Sequence, residues 1–241
     1  MKEFIMNWKI LQDRAYVPYS GKSEVCVSLD EKGFAHAGVR IENGAFPDTI
    51  SCFQASIYAC LSIGENVVEI IIPSKELLNH PQLVYLKSEY QFKITVKEEL
   101  PELNWAPTFS EKSEITLDDL KTLLPYPKIK ESDFPVVCFI KTDKGSISGV
   151  NIENTDWRMG LCAERVAISR AISNGAASLG EMYIFAPKAT YGTPCGACRQ
   201  VINEHLPNER LFMYHGDETH SEIIAQYLLP HSFMSSSLKK F

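Results

Sequence analysis

The sequence predicts an α/β fold made of two tandem α/β/α units, each a mixed sheet flanked by helices. A strand-like hexapeptide, GVRIEN at 38–43, recurs as GVNIEN at 149–154, so the two copies lie close to half of the 241-residue chain apart. Each copy is followed by a helix-like segment and then by an apolar strand. We therefore expect a first unit over residues 1–127 and a second unit over residues 128–241.

A predicted hairpin leads into each hexapeptide. YVPYSGKSEVCVSLDEKG (16–33) precedes the first copy and ESDFPVVCFIKTDKG (131–145) precedes the second. In both segments, β-branched and aromatic residues surround a Lys-Gly turn, which is typical of two short antiparallel strands. Each unit also closes on the tripeptide Leu-Leu-Pro, at 123–125 and at 228–230.

The segments after the hexapeptides predict one helix and one strand in each unit. SCFQASIYACLSIG (51–64) and CAERVAISRAISNG (162–175) both end at glycine, a common helix stop. They are followed by VVEIIIP (67–73) and EMYIFAP (181–187), short apolar runs that end in proline. Because the offset between the two hexapeptides is kept unchanged through the helix, we interpret the chain as a tandem duplication.

Composition favours a protein that acts on small molecules. The formal net charge is −6 and lysine and arginine do not cluster, so long nucleic acid is not the expected partner. No apolar run approaches the length that spans a membrane, so we expect no membrane partner. The N-terminal segment MKEFIMNWKILQDR mixes charged and apolar side chains and lacks the apolar core of a secretion signal, so we expect a cytoplasmic location.

Three of the seven cysteines form a pattern suited to metal. Cys162 opens a predicted helix, and Cys195 and Cys198 open the next one as a Cys-x-x-Cys pair. Helix N-termini stabilise thiolates, and three thiolates predict a Zn²⁺ site whose fourth position is open. An odd cysteine count without a secretion signal argues against paired disulfides. We expect the other four to be small buried apolar residues: Cys26, Cys52, Cys60 and Cys138.

Charged residues next to these cysteines predict a hydrolytic site. Glu164 lies two residues after Cys162, close enough to carry a proton without binding the metal. Three thiolates leave zinc with excess negative charge, which weakens it as a Lewis acid. Arg165, on the same helix face, and Arg199, after the last cysteine, are positioned to offset that charge in the second shell of the site.

The motifs Cys-Ala-Glu-Arg at 162–165 and Pro-Cys-Gly-Ala-Cys-Arg-Gln at 194–200 resemble the cytidine deaminase family in its three-cysteine form. The resemblance covers nearly all of 130–233 and, more weakly, 16–125. It implies that three cysteines hold zinc and that Glu164 shuttles a proton. Water would then attack C4 of cytidine or deoxycytidine, and ammonia would leave.

The same resemblance implies the residues that hold the nucleoside. Asn151 and Glu153 of GVNIEN would hydrogen-bond a ribose hydroxyl, which both donates and accepts. Phe134 would pack on the base, and Ala163 belongs to the same substrate-binding set. Phe233, in LLPHSF, resembles the aromatic residue that reaches a neighbouring subunit's site.

The first unit keeps the spacing of this motif but lacks its metal-binding cysteines and its proton-carrying glutamate. Arg40, Glu42, Ser51 and Phe53 stand at its corresponding positions, and no Cys-x-x-Cys follows. The second-unit residues that they replace are Asn151, Glu153, Cys162 and Glu164. We therefore expect one zinc ion per chain, in the second unit. Since family members often form tetramers, we expect a homodimer that forms a pseudo-tetramer of four units.

Three other functions stay open at this point. The segment TDWRMGL (155–161) departs from the small residues usual in the family, so the substrate could be another cytosine-bearing molecule such as blasticidin S. A non-catalytic, zinc-stabilised scaffold is a second alternative, but a scaffold would not need Glu164. A nucleic-acid editor is a third, and the acidic charge balance argues against it.

Overall fold

The computed structural model describes residues 6–233, so the outer ends of the two predicted units, 1–5 and 234–241, lie outside the described residues. Within that range, ten strands form two five-stranded mixed sheets. The first sheet contains β1 Val25–Asp30, β2 Phe34–Val39, β3 Val67–Ile72, β4 Lys93–Val96 and β5 Asn104–Trp105. The second contains β6 Val137–Thr142, β7 Gly145–Val150, β8 Leu179–Phe185, β9 Arg210–Tyr214 and β10 His220–Ile224.

Helices cover both sheets. The α-helices of the first unit are α1 Trp8–Arg14, α2 Cys52–Leu61, α3 Pro81–Tyr90 and α4 Leu117–Thr122, and those of the second are α5 Ala163–Ser173 and α6 Gly196–His205. Short 3₁₀ helices occur at Phe46–Asp48, Lys75–Asn79, Trp157–Met159 and Ala225–Leu228. The predicted mixed α/β class is confirmed. The predicted boundary at 127/128 falls between α4 and β6 and stays a prediction.

Four strands have the same order and direction in the two sheets. The orders are β4-β3-β1-β2-β5 and β10-β9-β8-β6-β7. The hairpins β1/β2 and β6/β7 are antiparallel, as are the pairs β1/β3 and β6/β8, while β3/β4 and β8/β9 are parallel. The fifth strand differs, because β5 extends one sheet beyond its hairpin and β10 extends the other at the opposite edge.

The repeated hexapeptide is only partly strand. β2 ends at Val39 and β7 ends at Val150, and the rest of each hexapeptide leaves the sheet. Ile41 and Ile152 instead form isolated bridges with Ile50 and Leu161, just before the following helices. The prediction of a strand-like hexapeptide was therefore correct only for its opening Gly-Val.

The glycine of each hexapeptide allows a helix to lie directly on its strand. A Cβ atom at Gly38 would overlap the carbonyl oxygen of Cys52, and one at Gly149 would overlap that of Ala163. Any larger residue would therefore push α2 or α5 away from its sheet.

The two predicted helices begin and end close to their expected bounds. Ser51 caps α2, with its hydroxyl accepting from the Gln54 N–H in a capping box, whereas the Cys162 thiol at the start of α5 makes no capping bond. Gly64 and Gly175 follow the two helices at φ +87° and +76°, the left-handed conformation that ends a helix.

The two units pack through α2 and α5. Each of these helices also contacts the 3₁₀ helix that precedes the other one. The Tyr58 hydroxyl and the Gln54 amide of α2 both donate to the Met159 carbonyl, at 2.7 and 3.1 Å. In return, Asp48 lies beside Arg165 of α5. The largest buried apolar cluster includes residues from both units, so they share one core.

A buried carboxylate makes a second contact between the units. Glu204 of α6 accepts from the hydroxyls of Tyr16 and Tyr19 at 2.8 and 3.2 Å and from the Gly44 N–H at 3.1 Å.

Over residues 6–233, the structure contains no helix of the length and apolarity needed to cross a membrane.

Candidate active site

Two helix N-termini bring three thiols together in the second unit. Cys162 and Cys195 are the N-cap residues of α5 and α6, and Cys198 lies in the first turn of α6. Their Sγ atoms all lie within 4.8 Å of one another, and those of Cys162 and Cys195 are 3.7 Å apart. Hydrogen bonds from the Cys162 and Cys198 thiols hold the pKa of Cys195 below its ordinary value. The group is suited to a soft divalent cation.

Pro194 lies just outside α6. The helix begins at Gly196, and Cys195 is its cap. Pro194 therefore lies one residue before the cap, where its fixed φ shapes the approach to the helix.

Glu164 is a buried carboxyl next to the thiols. Only 3% of the residue is exposed, and its Oε2 atom is buried without a hydrogen-bond partner among the described residues. Burial raises the pKa of Glu164 to about 7, because removal from water disfavours the charged form. The side chain can therefore exist in either protonation state near neutral pH.

The two arginines near the thiols contact different groups. The Arg165 guanidinium is nearly buried and lies 3.7 Å from Asp48 of the first unit. The Arg199 Nε instead donates to the Pro194 carbonyl at 2.8 Å, and its Nη2 lies 3.3 Å from the Thr193 hydroxyl. Arg199 thus braces the loop that enters α6, whereas Arg165 places its charge within the site.

Two adjoining cavities lie beside Cys162, and Cys195 and Glu164 line one of them. An inner cavity of about 360 Å³ is lined by Cys162, Cys195, Glu164 and Phe134, among others. An outer cavity of about 440 Å³ extends to Trp157 and Arg165. Both are lined by Ser132, Asn151, Glu153 and Cys162. The two cavities therefore adjoin, and each is large enough to hold part of a small molecule.

Asn151 and Glu153 are held rigidly at the junction of the two cavities. The Asn151 amide donates to the Phe134 carbonyl at 3.0 Å and accepts from the Val136 N–H at 2.8 Å. Glu153 accepts from the backbone N–H groups of Lys130, Glu131 and Ser132 and from the Ser132 hydroxyl. Burial alone would raise the pKa of Glu153, but these hydrogen bonds hold it below its usual range.

The other three predicted substrate-binding residues lie in different places. Phe134 lines the inner cavity, as expected. Ala163 is fully buried against Gly149 and is absent from the described lining of either cavity. Phe233 lies over the first unit instead, in a cavity with Gly44 and Phe46.

Sequence reasoning missed Tyr191 as a lining residue of the inner cavity. Its ring stacks on His215 with centroids 4.7 Å apart, and 62% of the residue is exposed. Tyr191 lies in the TYGTPC loop just before Cys195, so proximity to a metal ligand was the available signal.

The first unit has a counterpart of the thiol group that contains no thiol. Ser51 caps α2, His80 caps α3, and Leu83 is the third residue of α3, as Cys198 is of α6. Phe53 packs on the His80 ring with centroids 5.1 Å apart. The corresponding second-unit residues are Cys162, Cys195, Cys198 and Glu164. His80 was not recognised from the sequence because a longer Cys195 loop breaks the offset between the two copies.

The four remaining cysteines are buried, which confirms their predicted character. Cys60 lies with Asp30 and His36 in a second group of possible ligands, within 4.8 Å of one another. The Asp30 carboxylate already contacts the His36 ring at 3.0 Å and accepts from the N–H groups of Lys32 and Phe34. These bonds satisfy the carboxylate, and a structural zinc site would require a fourth protein ligand.

Comparison with known proteins identifies the family. A family model described as the cytidine and deoxycytidylate deaminase zinc-binding region matches residues 113–214. A cytidine deaminase of Mycoplasma genitalium is 33% identical over 107 residues, covering 44% of this chain and 82% of that relative. A blasticidin-S deaminase of Bacillus cereus is 35% identical over 80 residues, covering 29% of this chain and 56% of that relative.

Among solved structures, a cytidine deaminase from Burkholderia pseudomallei aligns with 49% of this chain and 100% of its own, with 27% identity and a TM-score of 0.46. The Mycoplasma relative is matched over most of its length, and the matched family region contains the thiol group and Glu164. The chain therefore belongs to the cytidine deaminase family.

Proposed function

We propose that the protein hydrolyses cytidine or deoxycytidine to uridine or deoxyuridine and ammonia, with one zinc ion bound in the second unit. The observation that carries this proposal is the convergence of three thiols and one buried carboxyl at the N-termini of α5 and α6. These residues lie within the region that matches the deaminase zinc-binding model.

Two features of the site fit zinc: three thiol ligands and a buried carboxyl oxygen without a hydrogen-bond partner among the described residues. Cys162, Cys195 and Cys198 would hold the ion, since their sulfurs already lie within one coordination sphere of each other. The Glu164 Oε2 atom is buried beside them without a hydrogen-bond partner in residues 6–233, so it has capacity for a water molecule or substrate. When bound, zinc supplies Lewis acidity, which makes water acidic enough to lose a proton near neutral pH.

Glu164 would carry the proton through the reaction. Its carboxylate accepts a proton as water adds to C4 of the pyrimidine, and it then protonates ring nitrogen N3. The carboxylate next takes the proton of the new C4 hydroxyl and gives it to the exocyclic amine. The C4–N bond then breaks, ammonia leaves, C4 becomes the carbonyl of the uracil ring, and Glu164 is again a carboxylate. The pKa of about 7 suits a group that must both accept and donate near neutral pH.

The nucleoside would lie across the two adjoining cavities. Phe134 and Tyr191 supply aromatic surface in the inner cavity for the base. Glu153 offers carboxylate oxygens to a ribose hydroxyl, and the loop N–H groups at 130–132 hold it in place. Asn151 braces the Phe134 segment and retains the capacity for one further hydrogen bond at each amide atom.

We propose that the first unit serves assembly instead of catalysis. The shared strand order and equivalent backbone bonds support a duplicated unit: Arg40 N–H donates to the Glu24 carbonyl as Asn151 N–H donates to the Val136 carbonyl. A homodimer would then present four units with two zinc sites. Such a nucleoside enzyme would function in cytoplasmic pyrimidine salvage without nucleic-acid or membrane partners. Sedimentation should give twice the chain mass at micromolar concentration, and a monomer would contradict the assembly proposal.

The decisive experiment combines elemental analysis with ammonia release from cytidine and deoxycytidine. We expect one zinc per chain and release from at least one nucleoside. Zinc without release from either nucleoside would contradict the proposed substrate, and release from blasticidin S in its place would identify the other cytosine-bearing class. A zinc-free, inactive protein would contradict the site itself.

A further inference from the structure

We propose that Asp48, a residue of the first unit, is a positioning residue for the metal site of the second unit. It would hold the Arg165 guanidinium in place beside the three thiols. This inference rests on the proposed zinc site, and it gives the non-catalytic unit a direct part in building the site.

Asp48 reaches Arg165 across the junction between the units. It is the last residue of the 3₁₀ helix Phe46–Asp48, and its Oδ1 lies 3.7 Å from Arg165 Nη1. The two side chains are only 22% and 13% exposed, so water screens the pair weakly. Arg165 Nε is buried without a hydrogen-bond partner among the described residues, so the guanidinium has few other groups that could fix its orientation.

The charges around Arg165 show what the pair does. Burial alone would lower the pKa of Arg165, but Cys198, Cys162, Cys195 and Asp48 together raise it above its usual value. Cys162 and Arg165 line the same outer cavity, and the Asp48 carboxylate approaches the guanidinium from the first unit.

Asp48 responds to the same neighbours. Burial raises its pKa first of all, attraction to Arg165 lowers it, and repulsion from Cys195 raises it by a smaller amount. The Asp48 carboxylate lies 3.7 Å from the guanidinium, so its effect on the thiols would pass through Arg165.

The equivalent contact in the first unit is uncharged. By the offset that separates the two hexapeptides, Gln54 corresponds to Arg165 and Met159 corresponds to Asp48. The Gln54 amide donates to the Met159 backbone carbonyl at 3.1 Å. The same inter-unit contact is thus an amide–carbonyl bond beside the thiol-free site and an ion pair beside the thiols. If this contact served only to pack the units together, an uncharged amide–carbonyl bond would suffice in both places.

The test measures zinc affinity by chelator competition, with zinc added to the metal-free full-length protein. We expect Asp48→Ala to weaken zinc binding on the order of tenfold, as for other outer partners of metal ligands. Asp48→Glu should restore most of the affinity, because it returns a carboxylate to the same side of Arg165. The matched control is Asp156→Asn. Asp156 lines one surface cavity together with Asp48 and Arg165, but its carboxylate pairs with Arg158. Loss of this charge should leave zinc affinity unchanged.

A double-mutant cycle separates positioning from general destabilisation. In an Arg165→Ala background, Asp48→Ala should cause no further loss of zinc affinity. Equal losses in both backgrounds, wild-type affinity in Asp48→Ala, or an equal loss in Asp156→Asn would each overturn the inference. Thermal melting of the metal-free variants checks folding, and Asp48→Asn provides a milder change if the alanine variant does not fold. If the wild type itself binds no zinc, the proposed function fails as well, which distinguishes the two failures.

Discussion

The two units place very different side chains on nearly the same backbone. In the second unit, Asn151 lines both the inner and the outer cavity, and Val136 lines the inner one. In the first unit, Arg40 and Glu24 occupy those positions and form an ion pair at 3.0 Å. Arg40 lines one cavity and Glu24 lines another, and the two share no described lining residue. In the first unit an ion pair thus occupies the positions that Asn151 and Val136 hold beside the proposed substrate site.

The chemistry at the helix starts differs just as sharply. Where the second unit has thiols and a carboxyl, the first has a serine, a histidine, a leucine and a phenylalanine packed on the histidine. Phe233 lines the first-unit cavity that contains Gly44 and Phe46, and it is not among the described lining residues of the inner or outer cavity. The comparison teaches that the fold supplies helix N-termini and a cavity in both units, whereas the site depends on a few side chains.

The largest expected effect is on the metal. Cys195→Ala should abolish both zinc binding and ammonia release, because two thiols cannot retain the ion. Its matched change in the first unit, Ser51→Ala, should leave zinc and turnover intact and cost about 1 kcal/mol of stability through loss of the helix cap. Elemental analysis and urea unfolding measure the two effects, and zinc loss in Ser51→Ala would refute the comparison.

A second change separates the metal from the proton carrier. Glu164→Gln should retain one zinc per chain while turnover falls by a factor of about 10³, within the range for loss of a general acid–base group. Steady-state ammonia release on zinc-verified protein is the measurement. Turnover within tenfold of wild type would remove Glu164 from the mechanism.

The ion pair that divides the first unit should contribute to stability and not to turnover. Arg40→Ala leaves the Glu24 carboxylate without its ion-pair partner and removes one partner of Glu42, which keeps its hydrogen bonds from Tyr19 and Ser20. The expected cost is about 1.5–3 kcal/mol. The double change Arg40→Asn and Glu24→Val copies the second unit and should recover part of that loss. Urea unfolding gives the free energies, and a fall in turnover per folded protein would show that the first unit affects catalysis by this route.

The last residues of α3 and α6 differ, and the histidine that ends α6 predicts a pH effect on stability. Tyr90 ends α3 and donates to Asn154 at 2.8 Å, whereas His205 ends α6 with its Nε2 buried and without a hydrogen-bond partner in the described chain. Burial lowers the pKa of His205 from 6.5 to about 4. Below pH 6.5 the unfolded chain binds a proton that the folded protein does not, so stability falls as pH drops toward 4.

Between pH 7 and pH 5, His205 should account for a loss of about 2 kcal/mol or less. The measurement is urea unfolding at both values for the wild type and for His205→Phe, which cannot take up the proton. An equal loss in the two proteins would show that other groups cause the pH dependence.

Much of the fold and the candidate site could be predicted because the signals are local. The glycine stops, the hairpin turns and the N-cap positions of Cys162 and Cys195 each depend on a few neighbouring residues. Glu164 and Cys198 follow from the same helix starts. The internal repeat supplied the mixed α/β class, since it required each unit to contain the same strand and helix pattern.

Other features required the packing of one unit on the other. Sequence spacing could not indicate that Asp48 meets Arg165 or that Phe233 lies over Gly44. Nor did it reveal the ion pair of Arg40 with Glu24, whose residues are brought together by the hydrogen-bond register of the strands.

The sequence by itself determined which helix starts bear thiols, because a helix terminus and its cap are encoded within one turn. Only the tertiary structure decided which side chains of one unit complete the surroundings of the other. The physical reason is that contacts between distant segments depend on how two whole surfaces fit, and no local pattern specifies that fit.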